Sequence, residues 1–155
     1  MSEQVTMCEK EVMVIFRAAK SEDWPQITRL LGVHGLPLAG AREHLDAFLV
    51  AESDGAVIGC IGAEYYGEAA LMRSLAVTPD ARGQGVGSGL VVRLLAGLRQ
   101  RNVRSAAIVT TTADGFFTRF GFVPVAREEI PAALLVSQEF NGACPASAKA
   151  MLLRL

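Results

Sequence analysis

The stretch Val77-Thr-Pro-Asp-Ala-Arg-Gly-Gln-Gly-Val-Gly-Ser88 has the residue types that bind an anion. It joins a predicted strand to a predicted helix. Glycines let a ligand approach the backbone closely. The unsatisfied N–H groups and the dipole of a helix start favour a phosphate there. A Walker loop needs Gly-Lys-Ser/Thr at its end, and this stretch holds no Lys. A dinucleotide fingerprint needs G-x-G-x-x-G. Counted from Gly83 the sixth place is Ser88, and from Gly85 it is Leu90, so both starts fail. A plain glycine-rich turn before a helix is the bland alternative.

Other side chains are suited to acid–base or ionic work. Glu64 lies near the end of a predicted strand, 57–66, and is a candidate base, directly or through water; a solvated strand-end carboxylate is the alternative. Glu68 is a weaker candidate for the same role. Arg73 stands in the otherwise apolar run Leu71-Met-Arg-Ser-Leu-Ala-Val77. Strand alternation puts Leu71, Arg73, Leu75 and Val77 on one face. An Arg there is costly unless paired, which leaves two readings: a bidentate clamp for a substrate carboxylate or oxyanion, or a structural ion pair with a Glu. Ser74 is a candidate lining residue of the same site. Tyr65 is a candidate substrate contact, and one of Tyr65 and Tyr66 is a candidate proton donor, with ordinary packing as the alternative. His34 and His44 have no carboxylate motif beside them that would make a metal site. Cys8, Cys60 and Cys144 are odd in number and form no CxxC pair, so neither zinc nor a disulfide framework is expected. Cys144 is a free thiol, and burial is the commoner fate of such a Cys.

The elements that must position these residues follow from periodicity. Val12–Phe16 reads as a first strand. Ser21 opens a helix with Glu22, Asp23 and Pro25 in its first turn and Ile27, Leu30 and Leu31 as its apolar stripe. A short helical piece spans 41–47. Strands at 48–51, 57–66 and 69–77 are separated by Asp54-Gly55 and Gly67-Glu68, two hairpin turns, so an antiparallel meander is expected. Val86, Leu90, Val91, Leu94, Leu95 and Leu98 recur at helical spacing, leaving Arg93, Arg99 and Arg101 mostly on a solvated face. A strand over 105–110 follows a helical crossover and so can lie parallel to 69–77. A short helix at 113–120, a strand at 122–126, a helix opened by Pro131 and running to about Gln138, and a last strand at 149–155 complete an α+β chain.

Arg82-Gly83-Gln84-Gly85-Val86-Gly87 resembles the Arg/Gln-x-x-Gly-x-Gly/Ala pyrophosphate loop of the GCN5-related N-acetyltransferase (GNAT) superfamily. Leu71–Val77 resembles its central strand, and Phe116-Phe-Thr-Arg-Phe-Gly-Phe122 its late helix and the Gly-Phe that follows. The resemblance implies one α+β acyltransferase domain over residues 1–155, a mostly antiparallel sheet with two splayed parallel central strands, and acetyl-CoA as co-substrate. It implies that the amides of Gly83 to Ser88, with Arg82 beside them, hold the pyrophosphate. It implies that Leu75, Ala76 and Val77 meet the pantetheine arm, that the Leu75 or Ala76 amide is the oxyanion donor, and that Thr110 falls where a cofactor-contacting Asn is common. Phe117 stands where many members carry a Tyr that protonates the leaving thiolate, and it cannot donate a proton. Homodimers are common in the superfamily.

A narrower resemblance rests on Gly35-Leu-Pro37, Arg73-Ser-Leu-Ala-Val77, Thr110-Thr-Thr-Ala113 and Glu139-Phe…Cys144-Pro-Ala-Ser-Ala148…Met151. These are similar to N-acetyltransferases of arsenic-resistance operons, which resemble amino-acid acetyltransferases. The acceptor this implies is a small-molecule primary amine, such as an amino acid or an analogue like arsinothricin or phosphinothricin. A non-catalytic acyl-CoA sensor and a thiol-based arsenical binder are the rival readings. At 155 residues with a net charge of −1, the chain has no excess of Lys and Arg for general nucleic-acid binding. It shows no membrane span, and Met1-Ser2-Glu3-Gln4 lacks a signal-peptide start, so a cytoplasmic protein with free thiols is expected.

Overall fold

The computed structural model describes residues 3–7, 12–143 and 148–155. Eight strands form: β1 Glu3–Met7, β2 Val12–Ala18, β3 Phe48–Ser53, β4 Ala56–Tyr66, β5 Ala69–Val77, β6 Ser105–Thr110, β7 Val123–Val125 and β8 Lys149–Arg154. The helices are α1 Trp24–Val33, α2 Val86–Gln100 and α3 Asp114–Thr118. Two compact units result: Met1–Gly62 with Ser74–Ala96, and Ala63–Arg73 with Gly97–Leu155.

In the first unit β1, β2, β3 and β4 pair antiparallel in that order. The strand β1 was not expected; it pairs with β2 from Glu3↔Phe16 to Met7↔Val12. Ile27, Leu30 and Leu31 of α1 are buried with Phe48, Val50, Val57, Cys60 and Ala76 in one core. The three α1 residues are the predicted stripe, and burying each such side chain is worth about 1.5–3 kcal/mol. Arg17 ties β2 to β3 and to the turn that leads into α1. Its Nη1 and Nη2 donate to the two Asp23 oxygens at 2.7 and 2.9 Å, and Nη2 also donates to Glu52 at 2.8 Å. The Arg17 hydrogen bonds outweigh burial and hold Asp23 below the usual carboxylate range.

In the second unit the order is β5, β6, β8, β7. The β5–β6 pair is parallel, from Ala69↔Ser105 to Met72↔Ile108. Beyond that last pair β5 runs on to Val77 and β6 to Thr110. Both β6–β8 and β7–β8 are antiparallel. Ala69, Leu71, Ala107, Ile130, Leu134 and Ala150 form the core here. The helix expected after Pro131 is instead a 3-10 segment, Ala132–Val136, followed by an irregular turn, Glu139–Ala143. Ala132-Ala-Leu-Leu-Val136 offers one buried residue, Leu134, and Gly142 has φ of 100°, so no α-helical stripe exists to extend.

Candidate active site

The anion-binding stretch lies in the first unit. Pro79–Ala81 is a 3-10 turn, and the Thr78 amide donates to the Ile58 carbonyl at 2.8 Å, anchoring the loop to β4. Gly83 and Gly85 have φ of 80° and 81°, the left-handed region that costs other residues roughly 1–2 kcal/mol. A Cβ at Gly83 would meet nothing within 4 Å, so the loop is open on that side. The first helical bond of this run goes from the Gly89 amide to the Gly85 carbonyl, 2.9 Å. The amides of Val86, Gly87 and Ser88 therefore precede the helical ladder, the position where a helix start presents donors to an anion. Val86 and Leu90 pack close to β4: a Cβ at Gly59 would lie 3.1 Å from Val86 and 3.2 Å from Leu90. Glycine at 59 thus lets the start of α2 sit directly on the strand.

Ser74 interrupts β5 with φ of 61°, a left-handed residue inside a strand. The simple alternation of Leu71, Arg73, Leu75 and Val77 on one face does not hold across it, because the pleat is broken at that residue. The Cys60 thiol donates to the Ser74 carbonyl at 3.3 Å. Burial pushes that thiol up to about 12. Leu75 and Val77 are half-buried and Ala76 is buried.

In the second unit, Glu64 and Arg73 meet. Arg73 Nη1 donates to Glu64 Oε2 at 2.7 Å, and the two side chains are 0% and 1% exposed. Arg73 Nη2 also lies 3.7 Å from a Glu139 oxygen. Of the two readings of Arg73, the structure thus realises the ion pair, with both Glu64 and Glu139 beside the guanidinium. Tyr66 Oη donates to Glu64 Oε1, and the Ser137 hydroxyl bonds Glu64 as well. The Glu139 amide donates to Ser137 Oγ at 3.1 Å. Burial pushes the Glu64 carboxyl up, but the bonds from Tyr66, Ser137 and Arg73 outweigh it and the net displacement is downward. The same surroundings push the Tyr66 phenol up to about 12, burial first and Glu64 second.

Tyr66 rather than Tyr65 therefore shares the site with Glu64. Residues two apart on β4 share a face, and the intervening Tyr65 ring is covered by the Arg101 guanidinium at 4.3 Å. Arg93 likewise leaves the expected solvated face and lies over the Phe16 ring at 3.9 Å. Thr110 Oγ1 accepts from the Ala113 amide at 3.0 Å, opening the turn into α3. Phe117 is buried between Phe116 and Phe122, with ring centroids 5.1 and 5.7 Å away. Neither of those two rings can donate a proton. Glu68 pairs with Arg104 at 3.5 Å, both well exposed. His34 Nδ1 lies 2.9 Å from the Leu30 carbonyl at the end of α1. Cys8 and Cys144 lie outside the described residues. Ser137 and Glu139 were not predicted site residues; Glu139 entered only as part of the narrower resemblance, and the polar Ser137-Gln-Glu139 after an apolar run was the other signal. No described helix is long and apolar enough to cross a membrane.

A glycine-rich loop at a helix start, a strand broken beside it and a parallel β5–β6 pair are the parts of an acyltransferase. The family described as Acetyltransferase (GNAT) domain matches residues 44–124, over half of the chain, and the chain belongs to that family. Within it, the similarity runs to amino-acid acetyltransferases. That of Neisseria meningitidis serogroup B is 29% identical over 146 residues, 88% of this chain and 34% of that protein. An uncharacterised N-acetyltransferase of Chlorobaculum tepidum is 37% identical over 90 residues, 57% of each. The chain thus spans only about a third to just over half of the length of these relatives. N-acetylglutamate synthase from Neisseria gonorrhoeae, complexed with coenzyme A and N-acetyl-glutamate, shares the fold with a TM-score of 0.79. Identity is 24%, covering 92% of this chain and 35% of that one. Rv2747 from Mycobacterium tuberculosis, in complex with CoA, has a TM-score of 0.76 at 25% identity, covering 90% and 98%.

Proposed function

We propose that the chain moves an acetyl group from acetyl-CoA to the primary amine of an amino acid or amino-acid analogue, directly, within a ternary complex and as one catalytic domain. The observation that carries this is the open loop with left-handed Gly83 and Gly85 leading into the unladdered amides of Val86, Gly87 and Ser88. Those donors, with Arg82 and Gln84, fit a pyrophosphate. Leu75, Ala76 and Val77 are read as the contacts of the pantetheine arm, and the Leu75 amide as the oxyanion donor.

The amine must be neutral to attack. Its nitrogen then bonds the acetyl carbon, the C–S bond breaks, and the electron pair leaves on sulfur. Glu64 is read as the base, acting through water. One of its oxygens is already engaged by Tyr66 and the other by Arg73. Arg73 is read as the group that orients an acceptor carboxylate, with Ser74 as a further acceptor contact; Tyr65, expected there from the sequence, lies under Arg101 instead. With Phe117 unable to donate, the thiolate departs without a dedicated acid; a thiol of pKa about 8.5 is acidic enough for that.

Calorimetry with coenzyme A, followed by thiol release with L-glutamate, phosphinothricin, arsinothricin and simple amines, tests the proposal. Heat from coenzyme A and turnover on an amino-acid acceptor are expected. Binding without turnover on any amine would leave an acyl-CoA sensor; no binding at all would end the proposal.

A further inference from the structure

We propose that Cys60 is a positioning residue for acetyl transfer: its sulfur holds the peptide units on either side of Leu75 and so aims the Leu75 amide at the thioester carbonyl. The role rests on the acetyl-transfer reading and deepens it. Cys60 lies on β4, wholly buried, in the same core as Ala76. Its thiol donates to the Ser74 carbonyl at 3.3 Å. The Ala76 amide bonds the same sulfur. The Ser74 carbonyl belongs to the peptide before Leu75, and the Ala76 amide to the peptide after it. A trans peptide is planar, with its C=O and N–H on opposite edges. A Ser74 carbonyl turned towards Cys60 therefore turns the Leu75 N–H away from Cys60 and from β4.

That orientation has to be held. Ser74 has φ of 61°, a region costly for any residue but glycine. Strain of this kind persists only where the surroundings fix it. Glycine at 59 brings β4 close to the same stretch: a Cβ there would lie 3.3 Å from the Ala76 carbonyl oxygen. Burial pushes the Cys60 thiol up to about 12, so the proton shared with the Ser74 carbonyl stays on sulfur at neutral pH. A buried Cys that only fills space behaves as a small hydrophobe, and alanine or valine can take that part. The bond to the carbonyl needs a donor, which neither of them has.

The test compares Cys60→Ala, Cys60→Val and Cys60→Ser in the full chain, with turnover counted per coenzyme A site titrated by calorimetry. Without the sulfur, kcat should fall about tenfold, part of the roughly 10²–10³-fold loss that follows removal of an oxyanion donor. KM for acetyl-CoA should stay within about twofold. Cys60→Ser restores a donor and should recover most of the lost rate. Cys60→Val, close to Cys in size, serves if the alanine variant does not fold. A second readout needs no acetyl transfer. Hydrogen exchange at the Ala76 amide, followed by NMR, should quicken about tenfold relative to the other β5 amides in the alanine and valine variants, and not in the serine variant. An unchanged kcat in the alanine and valine variants, a serine variant as slow as they are, or unchanged exchange at Ala76 would overturn the proposal. A chain that turns over no amine would defeat the functional reading, while exchange at Ala76 would still decide whether Cys60 holds these peptides.

Discussion

Arg73→Met keeps most of the aliphatic stem of Arg73 and removes its charge, leaving Glu64 and Glu139 buried without the guanidinium between them. Breaking a buried pair by deleting one partner costs about 3–5 kcal/mol. For a chain of this size each kcal/mol moves Tm by roughly 2–4 °C, so a loss of about 10 °C at neutral pH is expected. The pH dependence is the more searching part. In the native protein the Glu64 carboxyl is held low, so its contribution is present above its unfolded pKa of about 4.3 and is lost as pH falls through the lower folded value. In the variant, burial is opposed only by Tyr66 and Ser137, and the neighbouring Glu139 charge adds to it. The folded carboxyl then titrates above its unfolded value, and the penalty grows as pH rises through that window. Thermal melts at pH 5, 6, 7 and 8 should show a gap between the two proteins that is already present at pH 5, from the native Glu64 contribution, and widens towards pH 8 as the variant's penalty grows. Adding Glu64→Gln to the variant should narrow the gap at pH 8. A gap of constant width across this range would mean that the loss comes from packing, and would refute the charge argument.

Gly85→Ala places a Cβ at φ of 81°, at a cost of roughly 1–2 kcal/mol. Relaxing that strain moves the amides that follow, so affinity for coenzyme A, measured by calorimetry, should fall about tenfold or more, with Tm lowered by only a few degrees. The Cys60 thiol is buried and pushed up to about 12, so peptide mapping after iodoacetamide at pH 8 should find it unmodified in the native protein and alkylated in denaturant.

Much of the architecture was legible because its signals are local. The strand 105–110, the β4–β5 hairpin at Gly67-Glu68 and the α2 stripe are set by periodicity and by turn residues a few positions away. The glycine-rich turn before α2 was legible for the same reason: Gly83 and Gly85 adopt the torsions that only glycine adopts cheaply. Ser74 takes a left-handed torsion with no glycine to announce it, so the break in β5 was hidden and the predicted common face was wrong. The strand β1 was missed because Glu-Gln-Val-Thr-Met alternates weakly. Arg73 was visible as a charge in an apolar run, but its partners were not. Glu139 reaches it only through the tertiary fold, and a single Glu beside Phe140 carries no pairing signal. Tyr66 could have been told from Tyr65 by strand alternation over 57–66, which puts it on the side of Glu64; the Arg101 cover on Tyr65 could not.

The polar cluster of Glu64, Tyr66, Arg73, Ser137 and Glu139 belongs to one compact unit, and the loop from Arg82 to Ser88 belongs to the other. On the reading proposed above, substitutions among these ionic side chains would change which acceptor is taken while the backbone of the glycine-rich loop stays as it is.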